Sequence, residues 1–456
     1  MEYFNLLKKY RIAYSDLREN VSISHMLKME NGVVTVNSRI NASLKGLRVF
    51  NNNGLGFVYF NDGRLSNAFK KALNIARAFG KYSNEKQNIC NYKKVKYFEK
   101  NVNSNIFDIS DEEKIEFLKQ VTDELKEHPR IKNTLAVVYL SEESKNFLNS
   151  EFSEINLKQH IIRLNIFVTM KDRNNLQEYY YTFGKQGGWE VLKKIDINAL
   201  AKKVINKCET LLRAKPAPAG RYPVILDPEI TGVFFHEAIG HACEADAVLE
   251  NQSLFKNKLG ERVASDLITL YDDPTLPESS GSYLYDDEGI KARRTILIEK
   301  GILKSYLHSR TTAAKMKQEP TGNGRSEFAN ALPIPRMSNI VLKEGGFSEE
   351  ELFESIKKGI FLVGSRGGVV EPTKGNFLFN AKEAFLIENG KITTPLRGVS
   401  LSGNSLKILN KISGVGKKAR LSFTAGQCGK KGQRVPVDEK APFIKIDEAI
   451  VGGRDY

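Results

Sequence analysis

The sequence predicts an α+β protein. Residues 1–212 read as an N-terminal mixed α/β domain with antiparallel strands, 213–221 as a Pro/Ala linker, and 222–456 as a mostly antiparallel β domain that presents one chemically distinctive helix. Three observations carry this. At 456 residues the chain exceeds the length at which a single core usually keeps growing, so two cores are expected. Residues 16–60 alternate apolar and polar positions, with turn signals at Asn31-Gly32, Asn53-Gly54 and Asp62-Gly63, the pattern of an antiparallel meander. The run Lys215-Pro216-Ala217-Pro218-Ala219-Gly220 favours extended backbone, as a linker between domains requires.

Taken in order, residues 1–15 read as a short amphipathic helix, with Phe4, Leu6 and Leu7 set against Lys8, Lys9 and Arg11. The meander follows, and 45–60 form its hairpin. Residues 66–79 repeat Ala68, Phe69, Ala72, Leu73 and Ala76 at helical spacing, and 110–128 form a second helix opened by a Ser110/Glu113 capping box. Alternating strands at 134–140, 160–170 and 178–183 lead to a helix at 197–213 that closes the domain. The second domain strings short β runs between glycine turns, at 295–298, 302–307, 340–342, 359–363, 384–387 and 391–393. Its capped helix, 348–358, starts with Ser348/Glu351.

Bulk properties exclude several classes. Hydrophobic content of 41% with 27% charged residues belongs to a globular chain rather than a disordered one. The net charge of +15 invites a nucleic-acid reading, but the lysines are scattered as pairs (Lys8-Lys9, Lys70-Lys71, Lys202-Lys203, Lys357-Lys358) and form no basic cluster, which argues against one. Four dispersed cysteines, Cys90, Cys208, Cys243 and Cys428, make no disulfide framework. With no signal-like or membrane-length apolar run, a cytoplasmic location is expected.

The chemistry concentrates in GVFFHEAIGHACEAD, residues 232–246. Two histidines and a glutamate, His236, Glu237 and His241, follow an apolar run that must carry them into a buried or cleft-facing place. Neutral imidazoles bind Zn²⁺, and a carboxylate beside the first ligand can shuttle a proton between water and a leaving group. The spacing is HExxxH. On an ideal helix residues five apart diverge by about 140°, against about 40° for residues four apart. Both rings can meet one metal only if a π-bulge widens the turn, and Gly240 is where that distortion is expected.

Six stretches in register, HEAIGHACEAD (236–246), YDDEG (285–289), PTGNGR (320–325), PRM (335–337), ENGK (388–391) and CGKKGQRVPV (428–437), resemble the TldD/PmbA family of metalloproteases. The resemblance implies a zinc hydrolase whose metal is held by His236, His241 and the distant Cys428, with Glu237 as general acid/base. Cys243, Glu244 and Asp246 lie close enough in sequence to compete as third ligand, or to orient a ligand imidazole from behind. In the family context Arg325 and Arg336 are peptide-carboxylate or structural contacts, and His308 is a candidate oxyanion donor. The acidic turn Asp286-Asp287-Glu288 reads best as a loop cap.

The implied substrate is an unfolded or extended peptide, and the implied assembly is a dimer, with a second copy or with a paralogue that lacks the HExxxH motif. Two other readings stand beside this one: a nucleic-acid-associated regulator of the DNA-gyrase-modulator kind, and a zinc amidase acting on non-peptide amides.

Overall fold

In a computed structural model of the chain, residues 2–83, 86–99 and 106–453 are described, so the expected domain ends at 1 and 454–456 lie outside them. The N-terminal region is one sheet, antiparallel except for the short β4 that runs parallel to β6, with helices on one face. It runs α1 (Glu2–Lys9), β1 (Tyr14–Glu30), β2 (Val33–Asn51), β3 (Gly54–Phe60), α2 (Leu65–Tyr82), β4 (Lys96–Phe98), α3 (Asp111–Lys126), β5 (Ile131–Asn149), β6 (Glu154–Asp172), β7 (Asn175–Gln186), α4 (Glu190–Lys193) and α5 (Ile197–Arg213). The strand order is β3-β2-β1-β5-β6-β4, and β7 also pairs with β6.

Alternation sets the two faces of this sheet. Ile162, Leu164, Ile166 and Val168 of β6 join Val138 and Leu140 of β5 beneath α3 and α5. The opposite side chains of β6, Gln159, Ile161 and Arg163, face the second domain across a groove. Three expectations need adjusting. The first helix stops at Lys9 rather than 15, because the backbone of Ala13 already bonds Phe50 ahead of β1. Ser110 caps α3, but the Glu113 carboxylate completes no box; it takes the Trp189 indole at 3.2 Å and Lys193 at 2.8 Å. The helix expected at 348–358 is Glu349–Glu354, since Ile356 turns into a small apolar core and Lys358 opens a long strand.

In the C-terminal domain, β8 (Lys215–Pro216) and β9 (Gly220–Leu226) come from the Pro/Ala stretch and its continuation. The strands Lys358–Glu371, β9, Ile444–Gly453, Val399–Asn404 and Asn376–Glu388 pair in that order, and the last returns to pair with the first, closing a five-stranded ring. A second sheet runs alongside, through Leu270–Asp272, Asn339–Leu342 and Gln433–Ala441, the last in a hairpin with Gly426–Lys430. Between the two lies the largest apolar core, containing Phe234, Phe235, Ile239, Phe377, Phe379, Val435 and Val437. Among the described residues no helix is long and apolar enough to cross a membrane.

Candidate active site

The site is built on α6 (Pro228–Phe235), which leaves β9 at Asp227. The Asp227 carboxylate accepts the Ile230 N–H at 3.0 Å, and Pro228 suits the first helical position, where no N–H is needed. Phe234 and Phe235 are fully buried, Phe234 lying edge-on to Phe377 at 5.3 Å, so the core fixes how the helix rotates. Its next turn widens. Residues His236–Gly240 form a π-turn in which the His241 N–H bonds the His236 carbonyl, the distortion that HExxxH requires. The two imidazoles consequently share one face, with centroids 5.3 Å apart.

Two glycines let neighbouring elements close on this turn. A Cβ on Gly240 would lie 2.0 Å from Met337 Sδ, and one on Gly232 would lie 2.5 Å from Glu439 Cβ. The hairpin of Gly426–Lys430 and Gln433–Ala441 then sets Cys428 against the helix, Sγ 3.4 Å from His241 Nε2. One ligand atom each from His236, His241 and Cys428 lie within 4.8 Å of one another.

Each of these residues is oriented from behind. His241 Nδ1 faces Glu244 Oε2 at 2.9 Å, and His236 Nδ1 lies 3.2 Å from Glu439 Oε1, which leaves the Nε2 atoms for the centre. Arg336 donates to the Cys428 carbonyl at 2.6 Å. Lys430 spans the hairpin and the helix, 3.0 Å from Glu244 and 2.6 Å from Asp246. Burial alone would push the Cys428 thiol up, but the charges and hydrogen bonds of His236 and His241 draw it down to about 5, the thiolate a soft metal takes. Burial would likewise raise Glu244, yet Lys430, His241 and Arg336 hold it at about 2. Glu237 keeps 38% of its side chain exposed, with Oε2 3.9 Å from His241 Nε2, so it stands at the mouth of the site.

Other residues singled out in the sequence lie elsewhere. Cys243 is buried in the apolar core, and Asp246 is engaged by Lys430 and Lys431. His308 turns to Thr312 Oγ1 at 3.3 Å, and burial lowers its pKa to about 4. Arg325 is occupied by the carbonyls of Met337 and Pro436 at 2.6 and 2.9 Å. Asp286 caps its loop, accepting the N–H groups of Glu288, Ile290 and Gly324. Glu439 and Lys430 were not anticipated from sequence. Alternation would have found Glu439: Val435 pairs with Cys428, so Val437 and Glu439 follow on the same face.

Three family models cover nearly the whole chain: the PmbA/TldA metallopeptidase domain 1 over 15–76, the central domain over 104–212 and the C-terminal domain over 219–453. The chain belongs to the TldD/PmbA metallopeptidase family. A metalloprotease of Methanocaldococcus jannaschii is 43% identical over 95% of each chain, and one of Methanothermobacter thermautotrophicus is 39% identical over 97% of this chain and 96% of its own. The zinc metalloprotease TldD homolog of Saccharolobus solfataricus is 37% identical over 78% of each. Among solved structures, TldE from Thermococcus kodakarensis superimposes with a TM-score of 0.80 at 20% identity, over 99% of this chain and all of its own, and so shares the fold. This TldD/PmbA member is a metallopeptidase, and its described residues offer a His/His/Cys metal site.

Proposed function

We propose that the chain is a zinc peptidase acting on unfolded or extended peptides, with His236, His241 and Cys428 holding the metal and Glu237 as general acid/base. The observation that supports this most is the convergence of three ligand atoms within 4.8 Å on a π-turn that also presents Glu237. Two imidazoles and a thiolate suit zinc better than harder cations, and three protein ligands leave a position open, as catalytic sites need. Held there by His236, His241 and Cys428, zinc would supply the Lewis acidity that lowers the pKa of a water and polarises a carbonyl.

The remaining work falls to the chain's own residues. Glu237, half in solvent, takes the proton of the attacking water and returns it to the departing amine nitrogen. Glu244 and Glu439 hold the imidazoles in the tautomer that points Nε2 inward. Arg336 acts through the Cys428 carbonyl, keeping the thiolate in reach. Pairing with a second copy or a paralogue would confine the groove beside the site and restrict entry to chains without tertiary structure.

Metal analysis of the wild type, His236→Ala and Cys428→Ala, paired with cleavage of an unstructured peptide, tests the reading. One zinc per chain, lost together with activity in both variants, is the expected result. A wild type that takes up no zinc and cleaves nothing would overturn it.

A further inference from the structure

Behind the hairpin that carries Cys428 runs a groove of about 250 Å³ between the two domains. One wall is β5 and β6, and the other includes Ala425, Gln427 and Pro436. Arg163 of β6 lines it. Arg18 and Arg48, on the neighbouring strands β1 and β2, are answered by Asp16 at 4.0 and 2.5 Å. Arg163 forms no ion pair among the described residues, and its Nε is buried without an acceptor. Its Nη1 reaches only the Ala425 carbonyl at a long 3.4 Å, while the Tyr139 ring lies 5.5 Å beneath the guanidinium.

A guanidinium cannot shed its proton, so at this partly buried position the charge is left without a counter-ion. The two carboxylates of the groove are already engaged: Glu143 accepts from Asn20 at 2.7 Å and sits 3.6 Å from Lys145, and Glu327 accepts the Arg434 N–H at 3.0 Å. Arg434 brings a second guanidinium to the same groove, and Ser22 and Ser141 bring hydroxyls. Planar forks of this kind match the two oxygens of a carboxylate or phosphate.

We propose that this groove binds an oxyanion on Arg163, with Arg434 as the second cation. The chemistry is shared by the C-terminal carboxylate of a peptide and by a free small anion such as inorganic phosphate. Either would displace the long contact to Ala425, three residues before Cys428. That stretch is held at positive φ, 50° at Phe423 and 44° at Ala425, and Gly184 of β7 donates its N–H to Phe423 at 2.6 Å. Occupancy of the groove is therefore felt on the strand that supplies the thiolate. Binding itself requires no peptide cleavage, so the proposal stands or falls apart from the peptidase reading.

Calorimetric titration of the full-length, zinc-loaded Glu237→Gln protein decides it, using an unstructured peptide as the free acid, the same peptide amidated at its C-terminus, and inorganic phosphate. A peptide-derived anion is indicated if the free acid binds about tenfold tighter than the amide. Arg163→Gln should abolish that difference, and Arg163→Lys should restore part of it. A free anion is indicated if acid and amide bind alike while phosphate binds and loses affinity in Arg163→Gln. If neither the acid nor phosphate responds to Arg163→Gln, the proposal is wrong. Should that variant not fold, the exposed Arg434→Gln decides instead: weaker binding of acid or phosphate supports the site, and unchanged binding overturns it.

Discussion

The side chains behind His236, His241 and Cys428 decide how well the three proposed ligands would hold a metal. Glu244 is buried and accepts from His241 while Lys430 and Arg336 offset its charge, so its removal frees an imidazole and takes from Arg336 its carboxylate, while Lys430 keeps Asp246. Glu244→Gln should lower zinc affinity by about 10- to 100-fold, read by competition with a chromogenic chelator. Glu237 makes the opposite case. It stands at the mouth with no part in holding the rings, so Glu237→Gln should keep full zinc content while the cleavage rate falls by about 10²- to 10⁴-fold. A variant that lost zinc and activity together would instead make Glu237 a ligand. At this scale the sequence was informative where chemistry is local, at His236, Glu237 and His241. At Glu439 alternation marks the strand face but not the partner, since its place beside His236 depends on how a distant strand packs against the helix.

At the scale of elements, the π-turn is the structure's answer to an extra residue between the histidines, and its tolerances are visible at Gly240. Gly240→Ala puts a methyl 2.0 Å from the sulfur of Met337, itself fully buried. The substitution should cost about 1–3 kcal/mol of stability by overpacking, and Met337→Ala in the same chain should recover part of it. Equal destabilisation in the single and double variants would place the strain elsewhere. The start of the same helix carries a pH signature. Burial, with the charge of Glu229 second, raises the Asp227 carboxyl to about 7, above its unfolded value. Its stabilising proton is therefore fully held below about pH 4 and lost as pH rises through 7. Asparagine still caps a helix, so Asp227→Asn should flatten the loss of stability between pH 4 and 7 and gain on the order of 2–4 kcal/mol over wild type at pH 8, measured by denaturant unfolding. The π-turn was legible because HExxxH is geometrically impossible on a regular helix. The five-strand ring was not, since glycine turns and short β runs fix no order of pairing.

At the scale of the molecule, the two halves are joined by charge buried between them. Arg48 on β2 bonds Asp16 at 2.5 Å and Glu288 at 2.7 Å, all three almost fully buried, and Lys145 meets Asp287 at 3.0 Å nearby. The acidic turn is a loop cap through Asp286, yet its other two carboxylates are what the N-terminal sheet grips; sequence shows the turn but not the arginine, 240 residues away, that it meets. Buried pairs of this kind add little over apolar packing but are costly to break from one side, because the remaining charge is stranded. Arg48→Met takes from Glu288 its 2.7 Å cation and leaves Asp16 only the more distant Arg18 at 4.0 Å. It should cost about 3–5 kcal/mol and separate the melting of the two domains in calorimetry. Adding Glu288→Gln to that chain removes one stranded charge and should recover part of the loss, by a coupling of roughly 0.5–3 kcal/mol in a double-mutant cycle. If the two changes are simply additive, the domains are held by apolar contact and Arg48 only decorates the seam. If they couple, buried charge as well as apolar contact holds the N-terminal sheet to the acidic turn of the second domain.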